Sequence, residues 1–217
     1  MLKTKMPAVG IDLGGTKIMI AAVTSEGIVG EPIRVPTPKG PDNILNKFVE
    51  LIEDFKKEHV IAGVGIATPG VVDSEKGMAI GATGNIPDWT DTPIKQIIES
   101  KTLLPVYVAN DAHAAAYAEA HSLKLRSKAC VVILTIGTGI GGGILINGEL
   151  FHGAHWGAGH CGHVKVSMDN KRLCTCGLFD CYEAYASGTG LLATAKEVLN
   201  SVKPEQSPLA KDISNLK

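Results

Sequence analysis

The sequence of 217 residues lacks a strong excess of either charge, a long apolar run and most aromatic side chains. Its 21 Lys and Arg nearly balance its 22 Asp and Glu, so no basic surface indicates a nucleic-acid or anionic-membrane partner. The apolar opening at residues 9–23 is interrupted by Asp12 and Lys17, which a signal-peptide core or a membrane span would not contain. We therefore expect a cytoplasmic globular protein with neither nucleic acid nor membrane as partner.

Glycine is abundant, at 25 residues, and is concentrated in a few turns. The first turn, Gly14-Gly15-Thr16-Lys17, separates strand-like runs at residues 7–13 and 18–24. Successive backbone N–H groups in a tight glycine turn form a concave site that suits phosphate oxygens. Asp12, just before the turn, could hold Mg2+ against the same phosphates through water. The alternative is a plain hairpin whose glycines satisfy a positive-φ turn.

Apolar residues recur alternately at strand spacing and at helix spacing along the first half of the chain. The predicted strands are residues 27–35, 60–67 and 105–109. The predicted helices are residues 41–57, 93–100 and 112–121. Strands that alternate with helices in this way predict an α/β fold.

Polar residues follow the predicted strands. Asn110 and Asp111 come directly after the strand at 105–109, and side chains at the carboxyl end of a strand project into the crevice of an α/β sheet. Capping of the next helix is an alternative role for the pair, and one role does not exclude the other. Asn85 lies in a polar stretch at 71–89, where it is either a ligand contact or a turn residue.

A second unit of strand, glycine turn and strand follows at residues 129–146. Residues 137–143, with the sequence Gly-Thr-Gly-Ile-Gly-Gly-Gly, join an apolar strand at 129–136 to another at 144–146. The two glycine hairpins resemble each other and are spaced as the duplicated halves of a two-lobed protein. Facing each other across a cleft, they could grip one triphosphate from both sides.

Three of the five cysteines, Cys174, Cys176 and Cys181, lie within eight positions, and His163 precedes them by a short loop. Three sulfurs and one ring nitrogen are the ligand set of a closed tetrahedral zinc site. A disulfide is the alternative, but Cys174 and Cys176 are too close together to staple a loop. Four protein ligands leave no open position, so the zinc would be structural. We expect a helix to open at Cys181 and to bring its thiolate back to the other two.

These motifs occur in the order seen in ROK-family sugar kinases, and the resemblance extends from residue 9 to residue 192. The motifs that carry it are residues 12–17, 67–70, 110–111, 137–143 and 174–183. The resemblance implies an actin-like (ribonuclease H-like) α/β fold with a first lobe at 1–109 and a second, incomplete lobe at 110–217. It also implies ATP-dependent phosphorylation of a hexose at the 6-hydroxyl, as in glucokinase. N-acetylmannosamine, N-acetylglucosamine and fructose are alternative substrates, and a non-catalytic sugar-binding regulator is a further alternative.

The resemblance further implies a role for each motif, with Asp111 as the general base. The residues expected to contact the sugar are Gly70, Asn85, Asn110, Asp111, His160, His163 and Glu183. Those expected around the ATP phosphates and Mg2+ are Asp12, Gly14, Gly15, Thr16, Lys17, Gly137, Thr138 and Gly139. Zn2+ is expected on His163, Cys174, Cys176 and Cys181. A homo-oligomer, dimer or tetramer, is expected by the same resemblance.

Two residues and the length depart from the family pattern. His160 stands where the family usually has a glutamate that accepts sugar hydroxyls, so the preferred sugar is left open. His160 could equally be a packed, hydrogen-bonded histidine. Asp180 stands where a glycine is usual. Family members continue past residue 217, which indicates a truncated chain, and residues 201–217 are expected to form a loop or a frayed end.

Overall fold

The computed structural model describes residues 6–81, 84 and 86–200, so Asn85 and the segment 201–217 lie outside the described residues. The strands are β1 (Ala8–Leu13), β2 (Lys17–Thr24), β3 (Gly27–Pro36), β4 (Val64–Thr68), β5 (Val72–Asp73), β6 (Met78–Ala79), β7 (Val106–Asn110), β8 (Cys130–Ile136), β9 (Ile140–Ile146) and β10 (Glu149–Leu150). The helices are α1 (Pro41–Glu58), α2 (Ile94–Thr102), α3 (Asp111–Ser122), α4 (Glu183–Ala186) and α5 (Gly188–Asn200). Strands and helices alternate, as the sequence predicts.

Five strands form a mixed sheet in the order β3-β2-β1-β4-β7. The strands β1, β2 and β3 pair antiparallel, whereas β1, β4 and β7 run parallel to one another. Parallel neighbours require crossover connections, which the segments containing α1 and α2 supply. The carboxyl ends of β1, β4 and β7 therefore meet at one edge of the sheet, and this edge carries Asp12, Thr68 and Asn110.

The main hydrophobic core combines the five-stranded sheet with α1 and α2. Ile44, Phe48 and Ile52 of α1 are fully buried, so the helical spacing of apolar residues marks a core face. Helix α1 begins at Pro41, a position where the missing proline N–H costs nothing. Trp89 is buried in the same core, and its Nε1 donates to the Thr68 hydroxyl at 2.8 Å. None of the described helices is long and apolar enough to cross a lipid bilayer.

The second sheet has the order β10-β9-β8, and α3 packs against it. The turn predicted at 137–143 is shorter, because β9 begins at Ile140 and includes the last three glycines. A Cβ at Gly141 would lie 2.5 Å from the Ala112 Cβ, and one at Gly143 would lie 2.5 Å from the Ala116 Cβ. These glycines therefore allow α3 to approach the strand closely, which is a packing role and not a turn.

Two other element boundaries differ from expectation. The strand predicted at 60–67 is assigned only from Val64, and Val60 is exposed. The helix expected to open at Cys181 begins at Glu183, because Cys181 forms a β-bridge with Lys165. At Cys181, a contact with a distant segment replaces the regular helical pattern.

Candidate active site and metal centre

Asn110 and Asp111 form the junction between β7 and α3. The Asn110 Oδ1 accepts the N–H of His113 at 3.1 Å, which confirms that Asn110 caps α3. Its Nδ2 donates to the Gly70 carbonyl at 2.9 Å and to the Asp111 Oδ1 at 3.0 Å. Asn110 therefore holds the loop after β4 against the start of α3 and orients Asp111. The structure brings these three predicted sugar-contact residues together.

Asp111 and Asp12 interact electrostatically across the edge of the sheet. The pKa of Asp111 is raised, first because protein atoms displace water from its carboxylate and further because the Asp12 charge repels it. The Ala112 N–H, 2.8 Å from the Asp111 Oδ1, opposes this shift. Burial also raises the pKa of Asp12, against the positive charge of Lys17. Both carboxylates reach solvent, and a divalent cation bound between them would relieve their repulsion.

The first glycine turn is held by Thr37, the residue that follows β3. Gly14 N–H donates to the Lys17 carbonyl at 2.9 Å, which closes the β1–β2 hairpin. The Thr37 hydroxyl donates to the Gly14 carbonyl at 2.7 Å, and the Thr37 N–H donates to the Thr16 carbonyl at 3.0 Å. Gly14 does not have a positive φ, so its role is the close approach, since a Cβ would lie 3.0 Å from the Lys17 carbonyl oxygen. The sequence alone did not point to Thr37.

The second glycine turn is held by the start of α5. Gly137 N–H donates to the Gly139 carbonyl at 2.9 Å. The Gly188 N–H donates to the Gly137 carbonyl at 2.8 Å, and the Thr189 hydroxyl donates to the Thr138 carbonyl at 2.9 Å. Gly137 and Thr138 nevertheless remain exposed. The start of α5 thus holds the carbonyl groups of the turn by hydrogen bonds, while the tip of the turn stays open to solvent.

His160 lies in a row of imidazole rings. Its ring centroid is 5.7 Å from that of His113 and 6.4 Å from that of His163, and His113 lies 5.5 Å from His152. Burial lowers the pKa of His160, and His113 and His163 lower it further, so its neutral form is favoured. Among the described residues, the buried His160 Nε2 has no hydrogen-bond partner. His160 is thus packed between the rings of His113 and His163.

His113 is a functional candidate that sequence reasoning missed. Its Nε2 lies 2.7 Å from the Ala158 carbonyl, so that nitrogen carries the proton. This bond ties α3, which begins with Asp111, to the loop that leads to His160. A histidine inside an alanine-rich helix gives no local signal of such a contact.

His163, Cys174, Cys176 and Cys181 come together as predicted, with their ligand atoms all within 4.8 Å of one another. The Cys174 Sγ lies 3.6 Å from the His163 Nδ1, and the sulfurs of Cys176 and Cys181 are 3.7 Å apart. Zinc bonds of about 2.3 Å to sulfur and about 2.05 Å to nitrogen place tetrahedral neighbours about 3.8 Å (S–S) and about 3.6 Å (S–N) apart. The donor set therefore fits Zn2+. The cysteines are free, so the disulfide alternative is wrong.

The thiols are positioned by a short, irregular hairpin. The Cys174 N–H donates to the Leu178 carbonyl at 2.8 Å, and Gly177 turns the chain with a φ of 85°. Asp180 also has a positive φ, of 60°, and its Oδ1 accepts the Tyr185 hydroxyl at 2.7 Å. Burial and the neighbouring thiols raise the pKa of Cys181 to about 12. Its thiolate would thus require a cation, which Zn2+ would supply.

The five-stranded and three-stranded sheets, with glycine hairpins at β1–β2 and β8–β9, form an actin-like α/β fold of the kind found in sugar kinases. A model of the ROK family matches residues 8–216, and the chain belongs to this family. The family and the fold predicted from the sequence are both confirmed.

Two curated relatives and one solved structure illustrate the similarity. The chain is 38% identical over 199 residues to a glucokinase of Streptomyces coelicolor, covering 92% of this chain and 62% of the relative. It is 34% identical over 199 residues to an N-acetylmannosamine kinase of Salmonella typhi, covering 89% and 66% respectively. A ROK family glucokinase from Streptomyces griseus, solved with glucose and AMPPNP, superposes with a TM-score of 0.77 at 36% identity. That match covers 92% of this chain and 62% of the solved one.

Proposed function

We propose that this chain is the catalytic part of a cytoplasmic hexose kinase that transfers the γ-phosphoryl group of ATP to a sugar 6-hydroxyl, with glucose as the first candidate. The observation that carries the proposal is the junction where Asn110 joins Asp111 to Gly70, beside Asp12. Relatives named glucokinase and N-acetylmannosamine kinase support the class. N-acetylmannosamine, N-acetylglucosamine and fructose are the alternative substrates.

Asp111 would act as the general base. Phosphoryl transfer mostly requires in-line positioning and neutralisation of charge, with a carboxylate accepting the hydroxyl proton as the bond to phosphorus forms. The hydrogen bonds from Asn110 and Ala112 reach Oδ1, and Oδ2 would take up this proton. A raised pKa moves Asp111 towards the basicity that suits a general base.

The ATP phosphates would lie between the two glycine hairpins. The first would contribute Gly14, Gly15, Thr16 and Lys17, and the second Gly137, Thr138 and Gly139. Asp12 would hold Mg2+, which neutralises phosphate charge when bound. In both turns the carbonyl groups accept hydrogen bonds from neighbouring segments, so the outer surface of each tip would be available to the nucleotide.

The sugar would lie against the wall that carries His160, His163 and Glu183. The His163 Nδ1 faces Cys174, so a metal on Nδ1 would fix the tautomer that leaves Nε2–H for a sugar hydroxyl. An imidazole at position 160 can donate or accept, whereas a carboxylate only accepts. His160 should therefore decide which hydroxyl pattern is read. Zn2+ with four protein ligands would be structural.

We further propose that the two lobes divide at residues 109 and 110, and that the protein forms a dimer or tetramer. The chain spans 62% of the length of the Streptomyces coelicolor glucokinase, so the kinase activity of this chain is a proposal. The test is ADP release from ATP and Mg2+ with glucose, N-acetylglucosamine, N-acetylmannosamine, mannose and fructose offered separately. We expect one sugar to stimulate release. Binding of a sugar without ADP release would instead favour the regulator.

A further inference from the structure

The carboxylate of Glu183 joins the metal centre to the second glycine hairpin. Its Oε2 accepts the backbone N–H of Ile140 at 2.7 Å, directly after the turn at 137–139. Its Oε1 accepts the Thr175 hydroxyl at 3.0 Å and lies 3.6 Å from the Cys174 thiol. Thr175 sits between two of the cysteines of the metal centre. One side chain therefore spans the distance between two elements that are far apart in the sequence.

The contact is close on both sides of Ile140. A Cβ at Gly139 would overlap the Glu183 Oε2, so any side chain at residue 139 would displace this carboxylate from its present position. A Cβ at Gly162, next to the metal-centre residue His163, would overlap the Ile140 carbonyl oxygen. Two residues close in sequence to metal ligands, Glu183 and Gly162, thus lie against the first residue of β9.

We propose that Glu183 is a positioning residue for the second hairpin, and that the metal centre fixes the hairpin tip through it. A metal bound by Cys174 and Cys176 would immobilise Thr175 between them, and with it the Glu183 Oε1. A charged acceptor makes a stronger hydrogen bond to a backbone N–H than a neutral one. Loss of the metal would release Thr175, so the Ile140 N–H would lose a fixed partner.

This inference rests on the proposed function in one respect, namely that the tip at 137–139 binds nucleotide phosphates. The coupling itself does not require catalysis. The contacts with Ile140, Thr175 and Cys174 use three of the roughly four acceptor positions of a carboxylate, so Glu183 can contact a sugar as well. The metal centre would then serve both substrates, the sugar through His163 and the nucleotide through Glu183.

Hydrogen–deuterium exchange of the purified, metal-loaded chain tests the coupling. We expect the Ile140 amide to exchange roughly tenfold to a hundredfold faster in Glu183→Ala, and by a smaller factor in Glu183→Gln. Glu197→Gln is the matched control. Glu197 lies on α5 and forms an ion pair with Arg172, and its polar contacts among the described residues do not include the second hairpin. Metal content should equal that of the wild type in all three variants. Peptides from β1 and β2 serve as an internal reference for global opening.

Removal of the metal with a chelator should accelerate exchange of the Ile140 amide in the wild type. In Glu183→Ala, where this amide already exchanges faster, the chelator should cause little further acceleration. Equal acceleration in both proteins, or an unchanged Ile140 amide in Glu183→Ala, would overturn the coupling. Loss of metal from the Glu183 variants would also overturn it, because Glu183 would then belong to the metal centre. ATP with Mg2+ should protect the tip in the wild type and less so in Glu183→Ala. Intact coupling without ADP release under any sugar would contradict the kinase proposal alone.

Discussion

Replacement of Asp111 by asparagine should separate the chemistry of this residue from its structural role. Asparagine keeps the size of the side chain, and its oxygen can still accept the Ala112 N–H that lies 2.8 Å from Oδ1. It cannot take up the proton of a sugar hydroxyl, and it removes the charge that Asp12 repels. We therefore expect turnover to fall while stability near neutral pH is kept or increased.

The size of the first effect follows from the role of a general base. A positioned base contributes about 10²- to 10⁴-fold to the rate, or about 3–5 kcal/mol of activation free energy. The sign of the second effect follows from the Asp111 pKa, which is raised in the folded protein above its ordinary value of 3.8. Such a group favours folding below its unfolded pKa, and this contribution is lost as pH rises through the folded pKa.

Near neutral pH the wild type thus carries an unfavourable charge that Asp111→Asn removes, whereas below about pH 3.8 the two proteins should be equally stable. The assays are sugar-dependent ADP release and urea unfolding at about pH 7 and about pH 3.5. Turnover within tenfold of the wild type would refute the role as base. A variant less stable than the wild type at about pH 7, yet equal to it at about pH 3.5, would refute the electrostatic reasoning.

Three further substitutions test the metal centre and the packing beneath the site. Cys181→Ser removes one of four ligands, so metal content by mass spectrometry should fall below one per chain and the thermal midpoint should drop by several degrees. Thr68→Val leaves the buried Trp89 Nε1 without its acceptor at 2.8 Å and should cost about 1–3 kcal/mol in urea unfolding. Gly143→Ala should cost about 1–3 kcal/mol through its clash with Ala116, and Ala116→Gly in the double variant should recover part of this loss.

Each of these predictions has a matched control. Cys130→Ser changes an exposed thiol outside the metal centre, and the metal content should stay the same. Thr68→Ser keeps the hydroxyl and should lose less stability than Thr68→Val. Gly84→Ala places a methyl group where no atom of the other described residues lies within 4 Å, so it should be nearly neutral. Equal effects of variant and control would contradict the corresponding contact.

The parts of the site that could be predicted from the sequence depend on local spacing. The cap formed by Asn110 follows from its place just before a helical run, and the cysteines of the metal centre are recognisable by ligand type and number. The β1–β2 hairpin follows from a glycine turn between two apolar runs. The residues of the cap and of the hairpin are neighbours in the chain. The cysteines of the metal centre share a ligand chemistry for which few other roles are plausible.

The parts that could not be predicted depend on contacts between distant segments. Gly141 and Gly143 look like turn residues, because the helix that requires their small size lies some 25 to 30 positions earlier. The bond from Ile140 to Glu183 crosses 43 positions and involves a backbone N–H that any residue possesses. His113 contacts a carbonyl 45 positions away. Spacing within the sequence contains no record of such pairings.

The most direct test of the account is ADP release by this chain, followed with ATP and Mg2+ in the presence and absence of each hexose and confirmed by detection of the sugar 6-phosphate. The account predicts saturable ADP release that depends on one hexose, with Asp111→Asn reducing it by at least about a hundredfold. ADP release that no hexose stimulates, or that Asp111→Asn leaves intact, would contradict it.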